Sequence, residues 1–219
     1  MKLSLSLLFV ASLGLNACSK PYTKNLPPRI VTDPAQKLGC LLASISRNKT
    51  VEPHFRTYEV IFKSRDSALS KISMLYRADY GLLSLPEDDT FLTDFDQDGF
   101  AGIAWMRDLP VGTYFVDKAK FVGQAVQLEA AKTQSEPFTV EAGKCTYIGE
   151  LRVTPLTGKG LMGHTTLKSA HVDIVNSWPR DAEIFKKIYP ELEVNQVRIE
   201  VLQSASSRIG VSTPLPPAG

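Results

Sequence analysis

The chain has 219 residues, enough for one substantial domain or two small ones. Hydrophobic residues make up 43% and charged residues 22%, an ordinary globular balance that argues against disorder over most of the length. Lys and Arg number 25 against 23 Asp and Glu; with a formal charge of only +2 and no basic run, a nucleic-acid partner is not expected.

Residues 1–17 read as a signal peptide. Lys2 supplies one positive charge, the apolar stretch 3–15 is too short for a permanent membrane span, and small residues follow it. The stretch ends in Leu15-Asn16-Ala17-Cys18. This tetrapeptide resembles the lipobox of bacterial lipoproteins, in which a branched apolar residue and then a small one precede an obligatory Cys; Asn16 is a less usual residue at its place. The resemblance implies diacylglycerol on Cys18 Sγ and cleavage after Ala17. With Ser19 rather than Asp after the Cys, it also implies the outer membrane of a Gram-negative cell. Each buried methylene contributes about 0.8 kcal/mol, so two or three acyl chains hold a protein at a bilayer far more firmly than one. The competing reading is an ordinary signal peptide with an incidental Cys. Residues 18–35, with Pro21, Pro27 and Pro28, read as an extended tether.

With Cys18 committed to lipid, Cys40 and Cys145 remain, 105 positions apart. Two thiols in an oxidising compartment are expected to form a disulfide. Closing so long a loop stabilises a fold by about 4–5 kcal/mol in the chain-entropy picture. The competing reading is two buried free thiols. Neither Cys has a Cys or His at zinc-finger spacing.

Strand signals follow in series over 40–47, 58–63, 71–76, 100–106, 112–117, 137–140 and 145–153. Leu109-Pro110-Val111-Gly112 reads as a turn, and Glu141-Ala142-Gly143-Lys144 as the tip of a hairpin. Many short strands with frequent turns predict a mainly β chain, an antiparallel β-sandwich over 36–155. Residues 93–116 combine an Asp-Gly turn, an aromatic strand and Leu-Pro-x-Gly-x-Tyr, and 138–153 add a strand, an Ala-Gly turn and a long last strand. Together these resemble carboxypeptidase-regulatory-like and prealbumin-like β-sandwich modules. That resemblance implies a prealbumin-like sandwich and a binding, spacer or structural role rather than catalysis. Tyr114 and Val116 are expected on one face of their strand.

Asp94-Phe95-Asp96-Gln97-Asp98-Gly99 matches the first half of an EF-hand loop, whose alternate oxygens wrap calcium. The twelfth position, where a bidentate Glu belongs, is Trp105, and the flanks read as strands. Calcium held by Asp94, Asp96 and Asp98, with oxygens borrowed from Glu87, Asp88, Asp89 or Asp108, is one reading; a solvated acidic turn is the other. Trp105, Tyr114, Phe115 and Tyr147 suit a sugar-stacking platform, but their strand spacing favours core. His54, His164 and His171 fall in no metal frame, and nucleophile-elbow, Walker and dinucleotide patterns do not occur. No enzyme is expected.

A helix is expected after Ser177 as cap, with Pro179 in the first turn, and Asp181 and Glu183 at the positive end of its dipole. Ala182, Phe185, Ile188 and Tyr189 form its apolar face and Pro190 stops it. Residues 195–201 then alternate, with Val197, Ile199 and Val201 inward. Residues 156–203 thus read as a helix–strand appendage, and the Ser- and Pro-rich 204–219 as a disordered tail. The sum is a lipid-anchored, disulfide-stabilised envelope protein at the outer membrane. It acts as a non-catalytic structural or binding module for an envelope protein or glycan. The alternatives are a calcium-dependent or carbohydrate-binding module built on the acidic turn, and an envelope enzyme.

Overall fold

The computed structural model describes residues 37–52, 54–66, 72–78, 93–123, 126–131, 136–160, 163–203 and 207–214. The signal stretch, Cys18, the tether and the Glu87-Asp88-Asp89 run lie outside these residues. Strand β1 (Leu38–Asn48) is buried at every position from Gly39 to Arg47. Its odd side chains Leu41, Ala43 and Ile45 enter the main core, while Cys40 and Leu42 enter a second core on the opposite face. A strand covered on both faces reads as a continuous apolar run, which is why the alternation around Leu41 and Leu42 is weak.

The remaining strands are β2 (Thr57–Ser64), β3 (Ile72–Arg77), β4 (Phe95–Gln97), β5 (Phe100–Pro110), β6 (Gly112–Val122), β7 (Val126–Ala131), β8 (Phe138–Val140), β9 (Cys145–Lys159) and β10 (Thr165–Val175). Helix α1 (Trp178–Ile188), a 3-10 turn (Val194–Gln196), β11 (Arg198–Ile199) and β12 (Ser207–Pro214) are the other elements of the described residues. One sheet runs β4-β5-β1-β9-β10, with β11 also on β9; the other runs β3-β2-β6-β7, with β8 on β6. Pairing is antiparallel except where β9 meets β1 and β11. The sheets face each other across Tyr58, Phe62, Trp105, Tyr114 and Phe138; Phe62 stacks on Trp105 from the opposite sheet with centroids 5.9 Å apart. Helix α1 covers the outer face of the first sheet through Phe185 and, at its C-cap, Tyr189, against Leu42, Ala104 and Tyr147. The described residues therefore form a mainly β sandwich with one α-helix laid over one sheet.

The Asp98-Gly99 turn joins β4 to β5 as a tight hairpin: both residues have positive φ, 55° and 78°, and Gln97 pairs with Phe100. Those are the angles that a primed two-residue turn demands. Tyr114 and Val116 share the inner face of β6, as expected. The other two turns are not hairpins. Residue Val111 alone separates β5, paired with β1, from β6, paired with β2, so Leu109 to Gly112 is a corner between sheets. Likewise Glu141 to Lys144 carries the chain from β8 in one sheet to β9 in the other. Turn chemistry shows where a strand stops, not which sheet the next one joins.

The C-terminal third departs further from its sequence pattern. Residues 156–175 belong to the sandwich, because β9 continues to Lys159 and pairs with β10. The strand expected over 195–201 shrinks to β11, since β10 occupies the same edge of β9 from Glu150 onward. Val197 and Val201 pack on the second core, but Ile199 is 46% exposed rather than inward. Residues 207–214, expected as tail, form β12, which pairs first with β10 and then with β7 and so bridges the two sheets. Two sheet edges bond to any main chain that reaches them, whatever its side chains.

Candidate functional site

The chemistry-bearing side chains converge under the first turn of α1, on the outer face of β1 and β9. Parity alone would send Tyr147 and Glu150 to opposite faces. A bulge prevents this: Leu42 pairs with Tyr147 but Ser44 with Glu150, so β9 spends an extra residue there. Gly149 sits at the bulge with φ 110°, where a Cβ would lie 2.8 Å from the Ile174 side chain. The shift brings Tyr147, Glu150 and Arg152 alongside Ser44 and Ser46, facing the helix.

Two carboxylates, Glu150 and Asp181, are fully buried there. Asp181 Oδ2 accepts Ser44 Oγ at 2.5 Å and Tyr147 Oη at 2.6 Å, while Oδ1 accepts Arg180 Nε at 2.8 Å and Nη2 at 2.5 Å. Glu150 Oε1 accepts Ser46 Oγ at 2.6 Å; Oε2 accepts Ser177 Oγ and lies 3.1 Å from both Arg152 Nε and Arg180 Nη2. The two acids and two guanidiniums balance in charge, the condition under which buried ions are tolerable. Aromatic rings close the outer side, with Arg180 Cζ 3.7 Å from the Phe95 centroid and Arg152 Cζ 4.8 Å from that of Phe100.

Burial pushes the Glu150 carboxyl up, but the Ser177 and Ser46 hydroxyls, then Arg180 and Arg152, outweigh it and hold the group below the usual carboxylate range. Tyr147 is pushed well above the ordinary phenol range, by burial first and then by the Asp181 charge. The network is thus hydrogen-bonded on every carboxylate oxygen and covered by a helix. Its chemistry is that of a clamp.

Sequence reading missed this cluster. Ser177 does occupy the helix cap position, but its hydroxyl donates to Glu150 and makes no capping bond. Asp181, expected to decorate the dipole, is instead the anchor of the helix. Ser44 and Ser46 among the apolar residues of β1 were the available signal, because a hydroxyl inside a buried strand requires a partner.

The acidic turn lies beside the clamp. Asp94 Oδ2 accepts the Ala104 amide at 2.8 Å, Asp96 pairs with Lys49 at 2.6 Å, and Asp98 is a hairpin-turn residue. Among the described residues, no group of three or more His, Cys, Asp or Glu is arranged to hold a metal. The aromatics Trp105, Tyr114 and Tyr147 are buried in the two cores, and Phe115 is half-buried. Phe95 is buried, and Phe100 carries Arg152 on its face.

Cys40 and Cys145 are bonded, with Cα atoms 4.4 Å apart, and are register partners in the β1/β9 ladder. They line a pocket of about 290 Å³ with Met106, Leu192 and the carboxylates Asp108, Glu191 and Glu193.

No family model matches the chain, and neither does any curated protein. One solved structure, a leucine-rich repeat protein from Bacteroides thetaiotaomicron, is similar over 54% of this chain and 14% of its own, at 16% identity and a TM-score of 0.34.

Proposed function

We propose that this protein is a lipid-anchored lipoprotein of the outer membrane, with a non-catalytic sandwich domain that serves as a structural or binding module for an envelope protein or glycan. The observation that carries the reading is Cys18 directly after Leu15-Asn16-Ala17, at the end of a short apolar leader. The chain between Cys18 and Lys37, where the described fold begins, spans at most about 65 Å when fully extended. Anchoring therefore holds the sandwich in a thin layer at the membrane and raises its effective concentration for a neighbour in that layer.

The disposition of the polar side chains supports a module over an enzyme. The two fully buried carboxylates, Glu150 and Asp181, are consumed in fastening α1 to the sheet, and the hydroxyls of Ser44, Ser46 and Ser177 are all donated to them. The prealbumin-like strand and turn pattern of residues 93–116 and 138–153 supports the same role.

Metabolic labelling with an alkyne-bearing palmitate analogue tests the anchor. The wild-type chain takes up label and fractionates with membranes, whereas Cys18→Ser does neither. Equal absence of label from both chains refutes the reading.

A further inference from the structure

The pocket at the start of β1 and β9 is lined by both halves of the disulfide, and three carboxylates stand around them. Cys40 is nearly buried, and Cys145 is the more exposed of the two. Asp108, Glu191 and Glu193 bring negative charge to the lining; Lys144, the one cation among the described residues that line it, is spent on Glu141 at 2.7 Å. Gly143 lies on the same wall, and a side chain added there would meet nothing within 4 Å, so that side of the pocket is open. The ladder that pairs Cys40 with Cys145 runs on through Arg47 and Val153. The strands therefore keep the two sulfurs side by side after their bond is broken, and reclosure needs no search by the chain.

We propose that Cys40–Cys145 is a thiol–disulfide exchange site that selects cationic thiols, and that its partner is a dithiol protein with basic residues flanking its reactive cysteine. The thiolate of the partner attacks Cys145 Sγ. The Cys145–Cys40 bond breaks, and Cys40 leaves as a thiolate that takes up a proton. The partner's second thiolate then attacks its own sulfur in the mixed disulfide, releasing Cys145. The partner is left oxidised to its disulfide, and this chain has gained two electrons and two protons. Carboxylates around the reacting sulfurs repel an anionic thiolate and attract one that carries a neighbouring positive charge. The pocket thus decides which thiols arrive.

The test uses the oxidised full chain under native conditions and follows alkylation of the Cys40 and Cys145 peptides by mass. Cysteamine, a cationic thiol, is compared with 2-mercaptoethanesulfonate, an anionic one, and both are normalised to their rates on hydroxyethyl disulfide. The expected result is reduction whose rate rises linearly with thiol, with a cysteamine preference of about fivefold at low ionic strength. That preference shrinks towards unity in about 0.5 M salt. In the single variants Glu191→Gln and Glu193→Gln, either of which relieves the charge without touching the sulfurs, the preference falls. Rates that saturate at one common limit for both thiols mean that the bond opens only when the fold does, and overturn the proposal. Equal normalised rates for the two thiols overturn it as well.

Discussion

Ser44 and Tyr147 donate to one and the same oxygen of Asp181, at 2.5 and 2.6 Å, from strands 137 and 34 positions before the helix that carries it. Asp181 also holds Arg180, so its removal leaves a largely buried guanidinium short of its partner. Asp181→Ala is expected to cost about 3–5 kcal/mol. Ser44→Ala, which removes one donor of several, should cost about 1 kcal/mol. Urea unfolding midpoints of the two variants check the order; equal midpoints contradict the clamp.

The second carboxylate sets an acid limit. Glu150 titrates lower in the fold than in the unfolded chain, so on acidification the unfolded chain takes up this proton first. The contribution of Glu150 to the clamp is therefore complete above its unfolded value, about pH 4.3, and is lost as pH falls through the lower folded value. Melting temperature against pH measures this. Glu150→Gln should lower the plateau at neutral pH and flatten the fall between about pH 5 and pH 3. An acid limb identical to that of the wild type removes Glu150 as its source.

Much of the sandwich was legible in the sequence because its signals are local. The Asp98-Gly99 dipeptide demands a tight turn, Tyr58, Val60 and Phe62 alternate, and Pro179 and Pro190 bracket the helix. What was hidden depends on partners distant in sequence. The corner at Val111 looks like a hairpin until β1 is seen to claim β5 and β2 to claim β6. Strand β12 carries Ser, Gly and Pro around only two apolar residues, Ile209 and Val211, and is recruited by the edges of β10 and β7. The clamp was invisible for a third reason. The bulge at Gly149 breaks the period of two on which a face assignment rests, and Asp181 in a first helical turn looks like an ordinary dipole partner.

Gly102 is required by close strand approach rather than by backbone conformation. A Cβ there would lie 2.1 Å from the Ile45 carbonyl oxygen and 2.8 Å from the Phe95 ring. Gly102→Ala must therefore push β5 from β1 and displace the ring beneath Arg180. It is expected to lose at least about 2 kcal/mol by thermal or urea unfolding. A variant as stable as the wild type contradicts the packing at this crossing.

Calcium distinguishes the two readings of the acidic turn. Asp94 is bonded to the Ala104 amide and Asp96 to Lys49, so a metal would have to displace existing partners. The melting midpoint is expected to be the same in millimolar calcium as in chelator. A rise with calcium concentration would show preferential binding to the fold and restore the metal reading.

The anchor is tested most directly by the intact mass of the amino-terminal peptide from protein purified out of membranes. The expected peptide begins at Cys18 and carries a diacylglyceryl group on Sγ, with or without acylation of the new amine. A peptide that begins elsewhere, or that begins at Cys18 with a free thiol, contradicts it.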